Sequence, residues 1–171
     1  MATYANPDAL VDVDWVKAHA GDANVRLVEV DVDTTAYDSG HIPGSVGWNW
    51  QIDLQQRPAR DIPTKEEWET LLSRAGIGPD TTVILYGDNH NWFAAFAYWL
   101  FKYYGHDNVK LLDGGRAKWI ADGGDTTTDA TSVTATSYTV AATRPELRAY
   151  RDDVKATIAN DGTVLIDVRS P

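Results

Sequence analysis

Residues 81–86 (TTVILY) are apolar on both faces of any strand they form, and such a strand is stable only with covering layers above and below it. The rest of the chain supplies those layers. Runs at 25–31 (VRLVEVD), 46–50 and 109–112 have the length and the β-branched or aromatic character of further strands. Helical patterns alternate with them over 11–20, from Thr64 to a stop at Gly76, over 92–104 and over 116–121. Thr64 with Glu67 forms a capping box, and helix 92–104 is apolar nearly all round, so it is expected at the centre. The alternation predicts an α/β fold: an open, mostly parallel sheet with helices on both faces, joined by right-handed crossovers.

Composition narrows the function. Seven Trp, eight Tyr and three Phe provide bulk for a core, and no apolar run approaches the roughly 18 residues of a membrane span. The first eight residues have neither the basic start nor the apolar stretch of a signal peptide, so a cytoplasmic location is expected. A net charge of −10 without a basic cluster argues against nucleic acid and anionic membranes as partners. The acid is skewed, with 20 Asp to 5 Glu; a salt-adapted surface and an ordinary acidic cytosolic protein both fit. There is no cysteine, which excludes disulfides, thiolate–metal sites and a cysteine nucleophile within this chain.

From residue 123 to 143 the composition changes, with eight Thr in 21 residues and almost no helical pattern. We read an extended linker packed along the domain surface, with a strand near 138–140. Residues 146–159 then read as a helix and 163–168 (TVLIDV) as a strand. At an offset of 138 this end of the chain repeats the beginning: Asp14, Val16, Lys17, Ala18, Leu27 and Val30 match Asp152, Val154, Lys155, Ala156, Leu165 and Val168. One helix and one strand are far below the roughly 40 residues that sustain a core. The chain therefore reads as a fragment of a two-domain protein of about 270–280 residues, twice the repeat period.

In an open α/β sheet the natural site lies beyond the carboxyl ends of the strands, here at Gly87, Asp88, Asn89, His90 and Asn91. This loop precedes a helix N-terminus that would suit an anion or a thiolate, yet it holds no nucleophile. Asp88, Asn89 and Asn91 are expected to cap the helix; an acid/base or metal pair of Asp88 with His90 is the competing reading. His41, in Gly40-His41-Ile42-Pro43-Gly44, reads as a structural histidine, and His19 and His106 as bystanders near helix ends. Gly114 and Gly115 before Arg116 read as a tight turn rather than a phosphate nest, because no Lys-Ser or Lys-Thr follows.

Four segments together resemble the rhodanese family. Residues 37–45 (YDSGHIPGS) resemble its amino-terminal signature, with Ser45 where Ala is usual; His41, Pro43 and Gly44 belong to it. Residues 112–119 (LDGGRAKW), with Gly114 and Gly115, resemble the segment that closes a rhodanese domain, and 165–170 (LIDVRS) the first strand of the next. The loop 86–93 (YGDNHNWF) is similar to that of the noncatalytic first domain of tandem-domain thiosulfate sulfurtransferases. The resemblance implies a noncatalytic rhodanese-like domain at 1–122, a Thr-rich linker at 123–145, and the first helix and strand of a second domain at 146–171.

It further implies sulfane sulfur transfer from thiosulfate to a thiophilic acceptor, by way of a cysteine persulfide in that second domain. Gly87 or Asp88 stands here where the family carries its cysteine, so this chain alone is expected to be inactive. Arg169 is implied as a thiosulfate-binding candidate, the second domain as the partner, and no metal or organic cofactor. A cysteine-free module that binds a protein through a Trp-rich surface around Trp48, Trp50 and Trp92 is the alternative.

Overall fold

The computed structural model describes residues 4–158, 160 and 162–167. Five strands form one parallel sheet: β1 (Leu10–Val11), β2 (Val25–Asp31), β3 (Val46–Asn49), β4 (Thr82–Tyr86) and β5 (Val109–Leu112). Their order across the sheet is β1-β5-β4-β2-β3. The register sets Val28 opposite Leu85 between β2 and β4, and Leu85 opposite Leu111 between β4 and β5.

The helices are α1 (Val13–His19), α2 (Thr35–Ser39), α3 (Trp50–Asp53), α4 (Lys65–Arg74), α5 (Trp92–Tyr103), α6 (Gly115–Ala121) and α7 (Arg151–Thr157). Two apolar clusters cover the two faces of the sheet. Val28, Val30, Val83 and Leu85 pack with Trp48, Trp68 and Phe101 beneath α4 and α5. Leu27, Ile84 and Tyr86 pack with Val16, Ile42 and Trp119 beneath α1 and α6. Burial on both faces is the arrangement that the TTVILY run requires.

The sequence expectations depart from this structure in informative places. Val11 lies with Leu10 in an edge strand rather than in the expected helix 11–20, because the Asp12 side chain accepts the Trp15 N–H at 2.8 Å and caps α1, which starts at Val13. Asn49 likewise ends β3 by accepting from the amides of Gln51 and Ile52, so that Trp50 opens α3. Around 138–140 the chain is extended, with Tyr138 and Val140 buried, but it forms no ladder. Its neighbour is α4, and its amides donate to the Ser73 hydroxyl and the Glu69 carboxylate.

Residues 163–167 form no strand either, and among the described residues none of the five strands pairs with them; Val164, Leu165 and Ile166 are exposed. Val168, the last residue of that expected strand, and Ala159, the last of the expected helix, lie outside the described residues. Among the described residues no helix is long and apolar enough to cross a membrane.

Candidate functional site

Strands β2 and β4 lie side by side in the middle of the sheet, and the chain leaves them in opposite directions, β2 towards β3 and β4 towards β5. The carboxyl ends of such a pair form a crevice. Beside it, between the loop after β4 and the segment after β5, lies a cavity of about 280 Å³ lined by Gly87, Asp88, His90, Gly114, Arg116 and Ala117.

The loop after β4 is closed on itself. At Gly87 an added Cβ would press into the Val30 carbonyl oxygen and stand 2.8 Å from Asp31 Oδ1, so only glycine fits. The Gly87 N–H donates to Asn91 Oδ1 at 3.0 Å, while Asn91 Nδ2 donates to the Leu112 carbonyl at 2.7 Å. The Arg116 N–H donates to the Gly87 carbonyl at 3.1 Å. Asn89, His90 and Asn91 all take left-handed backbone angles, with φ of 45°, 56° and 64°. Three consecutive non-glycine residues there make a costly conformation, most so for His90.

The expected capping does not occur. No side chain of Asp88 or Asn91 caps the helix that follows, because the left-handed turn sends the Asn91 amide back to Gly87 and across to β5. Among the described residues no group of three or more His, Cys, Asp or Glu side chains could hold a metal ion.

Beneath the loop lies a cluster that pattern reading missed. Glu29 and Asp31 alternate along β2 and share the face of Leu27, so both carboxylates point into the domain, and both residues are buried. Arg116 Nη1 donates to Glu29 Oε1 at 2.6 Å, with the Glu29 side chain 0% and that of Arg116 16% exposed. The Asp88 N–H donates to Asp31 Oδ1 at 2.7 Å. The second oxygens, Glu29 Oε2 and Asp31 Oδ2, are buried and meet no donor in hydrogen-bonding geometry.

Burial pushes the Asp31 carboxyl up to about 8, and the neighbouring Glu29 and Asp88 carboxylates push the same way. Burial also raises Glu29, against the pull of Tyr86 and Arg116. The Tyr86 hydroxyl, itself held well above its ordinary value by burial, accepts the Ile42 N–H at 3.1 Å and shares a hydrogen bond with Ser45 Oγ at 2.8 Å. Ser45, the departure from the family's usual Ala, thus ties the signature loop to β4. The signal for this cluster was in the sequence: two acids at alternate positions at the end of a strand that is otherwise apolar from Leu27 onward.

The remaining histidines have structural surroundings. His41 is buried, stacked on Tyr37 at 3.7 Å, with its ring nitrogens 2.9 Å from the Tyr37 carbonyl and 3.1 Å from that of Asp129. It fastens the signature loop, with Pro43 and Gly44, to the linker. His106 is buried between Tyr138 and Thr81, and burial lowers its pKa. His19 faces Asp22 at 2.8 Å on the surface. Gly114 and Gly115, with φ of 76° and 57°, make the turn into α6, and Gly115 has no room for a side chain against Asn91. Arg169 lies outside the described residues.

Residues 12–122 match the rhodanese-like domain. The chain belongs to the rhodanese family. It is 50% identical over 169 residues to a protein of Haloferax volcanii named a putative thiosulfate sulfurtransferase, covering 96% of this chain and 59% of that protein. It is 47% identical over 171 residues to the sulfur carrier protein TtuD of Thermus thermophilus, covering 98% of this chain and 60% of that one. This rhodanese chain therefore spans about three-fifths of the length of these relatives. The 3-mercaptopyruvate sulfotransferase SseA of Escherichia coli superposes with a TM-score of 0.84 at 22% identity, over 95% of this chain and 66% of its own, and so shares the fold.

A rhodanese cysteine needs free backbone N–H groups around its thiolate. In this domain the Gly87, Asp88 and Asn91 amides already donate to Asn91 Oδ1, Asp31 and the Asp88 carbonyl. Asp88→Cys is therefore expected to give no thiosulfate-dependent sulfur transfer above that of the parent. Its thiol should ionise at or above the usual pKa of about 8.5, checked by the pH dependence of alkylation.

Proposed function

We propose that this chain is the noncatalytic first domain of a cytoplasmic tandem-domain thiosulfate sulfurtransferase, followed by the start of its second domain, with boundaries at 1–122, 123–145 and 146–171. The observation that carries this reading is a structural repeat. The 3₁₀ turn Pro7–Ala9 and helix α1 recur, residue for residue at the offset of 138, as Pro145–Leu147 and α7.

Apolar residues buried in the first copy are open in the second. Val16, Leu27 and Val28 are buried, whereas their counterparts Val154, Leu165 and Ile166 are exposed. A second rhodanese sheet is the cover that such a pattern calls for. The length of the relatives supports the same reading.

In this function a cysteine thiolate of the second domain attacks the outer sulfur of thiosulfate, sulfite leaves, and the persulfide passes its sulfur to a thiophilic acceptor. Arg169 would stand at the entry to that domain as an anion clamp. The first domain contributes a face of the cleft, on which the loop from Gly87 to Asn91 lies with its amides engaged.

The alternative of a cysteine-free binding module rests on surface tryptophans. Trp92 is 67% exposed, but Trp48 is buried in the core and Trp50 is half-buried against Phe93. The test is thiosulfate-dependent sulfur transfer by the whole gene product. The proposal expects transfer that disappears when one cysteine outside residues 1–171 is replaced by serine. A gene product without such a cysteine, and without transfer, would favour the binding module.

A further inference from the structure

We infer that Asp31 is a proton-operated latch for the loop over the crevice: protonated, it bridges the carboxylates of Glu29 and Asp88 and holds residues 88–90 down, and ionised, it releases them. The inference goes beyond sulfur transfer and does not rest on it.

The geometry has three parts. Asp31 Oδ1 already accepts the Asp88 N–H at 2.7 Å, so one oxygen grips the loop backbone. Asp31 Oδ2 is buried without a donor, and so is Glu29 Oε2. A carboxylate oxygen with no donor is costly in that position, whereas a carboxyl O–H there would have acceptors on Glu29 and Asp88.

The third part is the loop itself. Its left-handed run at Asn89, His90 and Asn91 relaxes when no contact enforces it. Asn91 stays pinned to Gly87 and Leu112, so it is the hinge, and residues 88–90 are the part that moves.

The groups that act on Asp31 are Glu29 from its own strand and, from the loop, the Asp88 N–H, which favours the ionised form, and the Asp88 carboxylate, which opposes it. Arg116 from α6 and Tyr86 from β4 act on Glu29. On ionisation one proton leaves Asp31 for solvent, and three carboxylates then face one another with Arg116 as the paired cation. Asp88 is the one of the three on a movable segment, so repulsion is relieved by lifting the loop. The raised ionisation range of Asp31 agrees with this order of events.

The test is amide exchange by NMR on this chain from about pH 6 to about pH 9, corrected for intrinsic exchange. The Asp88 amide is expected to lose at least about tenfold in protection across a single transition, while the core amides of Val83 and Ile84 stay protected. In Asp31→Asn the carboxamide keeps both contacts without titrating, so the transition should vanish and the loop stay closed. In Asp88→Asn the movable segment carries no like charge to be repelled, so the loss of protection at residue 88 should shrink or vanish; this variant carries the test if Asp31→Asn fails to fold. Unchanged protection of Asp88 throughout the range would overturn the latch. So would a transition that persists in Asp31→Asn, or one that Asp88→Asn leaves in place.

Discussion

Replacing Arg116 by methionine is expected to destabilise the domain by about 3–5 kcal/mol near neutral pH, the usual cost of leaving one member of a buried ion pair without its partner. The Glu29 side chain is fully buried, and Arg116 supplies its hydrogen bond at 2.6 Å. Methionine preserves much of the arginine stem's packing, so the loss reports the charge. The stranded Glu29 can be neutralised by protonation, and the penalty should shrink as the pH falls. Adding Glu29→Gln to Arg116→Met removes the charge altogether and should restore much of the stability. Urea denaturation of the parent, both single variants and the double variant measures the coupling; independent, additive effects of the two substitutions would show that the pair does not act as a unit.

Asp31→Asn is expected to stabilise the domain at alkaline pH. Burial pushes the folded carboxyl up to about 8 from its ordinary value of 3.8, so the folded state holds its proton over a range where the unfolded state has lost it. Stability must then fall as the pH rises from near 4 to near 8, by roughly 3–5 kcal/mol if burial acts at full strength. Asparagine carries no proton to lose. The variant should match the parent near pH 4 and exceed it near pH 8, with a visibly higher Tm. A parent whose stability is flat across that range, or a variant with the same slope, would contradict the burial account of Asp31.

These two sites show where sequence pattern stops informing. The strands at Val25–Asp31 and Val109–Leu112 were legible to the residue, because local periodicity and β-branching determine them. The capping box at Thr64 and Glu67 was legible for the same reason, being a contact across three residues. The family motifs located the crevice and its loop.

What closes the loop was not legible. Arg116 meets Glu29 across 87 positions, and Asp88 meets Asp31 across 57, distances over which no periodicity carries information. Trp48 looked like surface in a short aromatic run, but β3 turns its ring between Trp68 and Phe101 in the core. The strand pattern at 163–168 was a sound reading of propensity. Propensity makes a strand only where a neighbouring strand offers a ladder, and residues 163–167 pair in none of the described ladders.

This rhodanese domain offers no group to hold a transferable sulfur, since it has no cysteine and its loop amides are already engaged. The most direct measurement is the intact mass of this chain after incubation with thiosulfate, read beside the thiocyanate formed when cyanide is added as acceptor. The expected result is an unchanged mass, with thiocyanate at the level of the protein-free control. A chain heavier by one sulfur atom, with thiocyanate formed in proportion to protein, would contradict it.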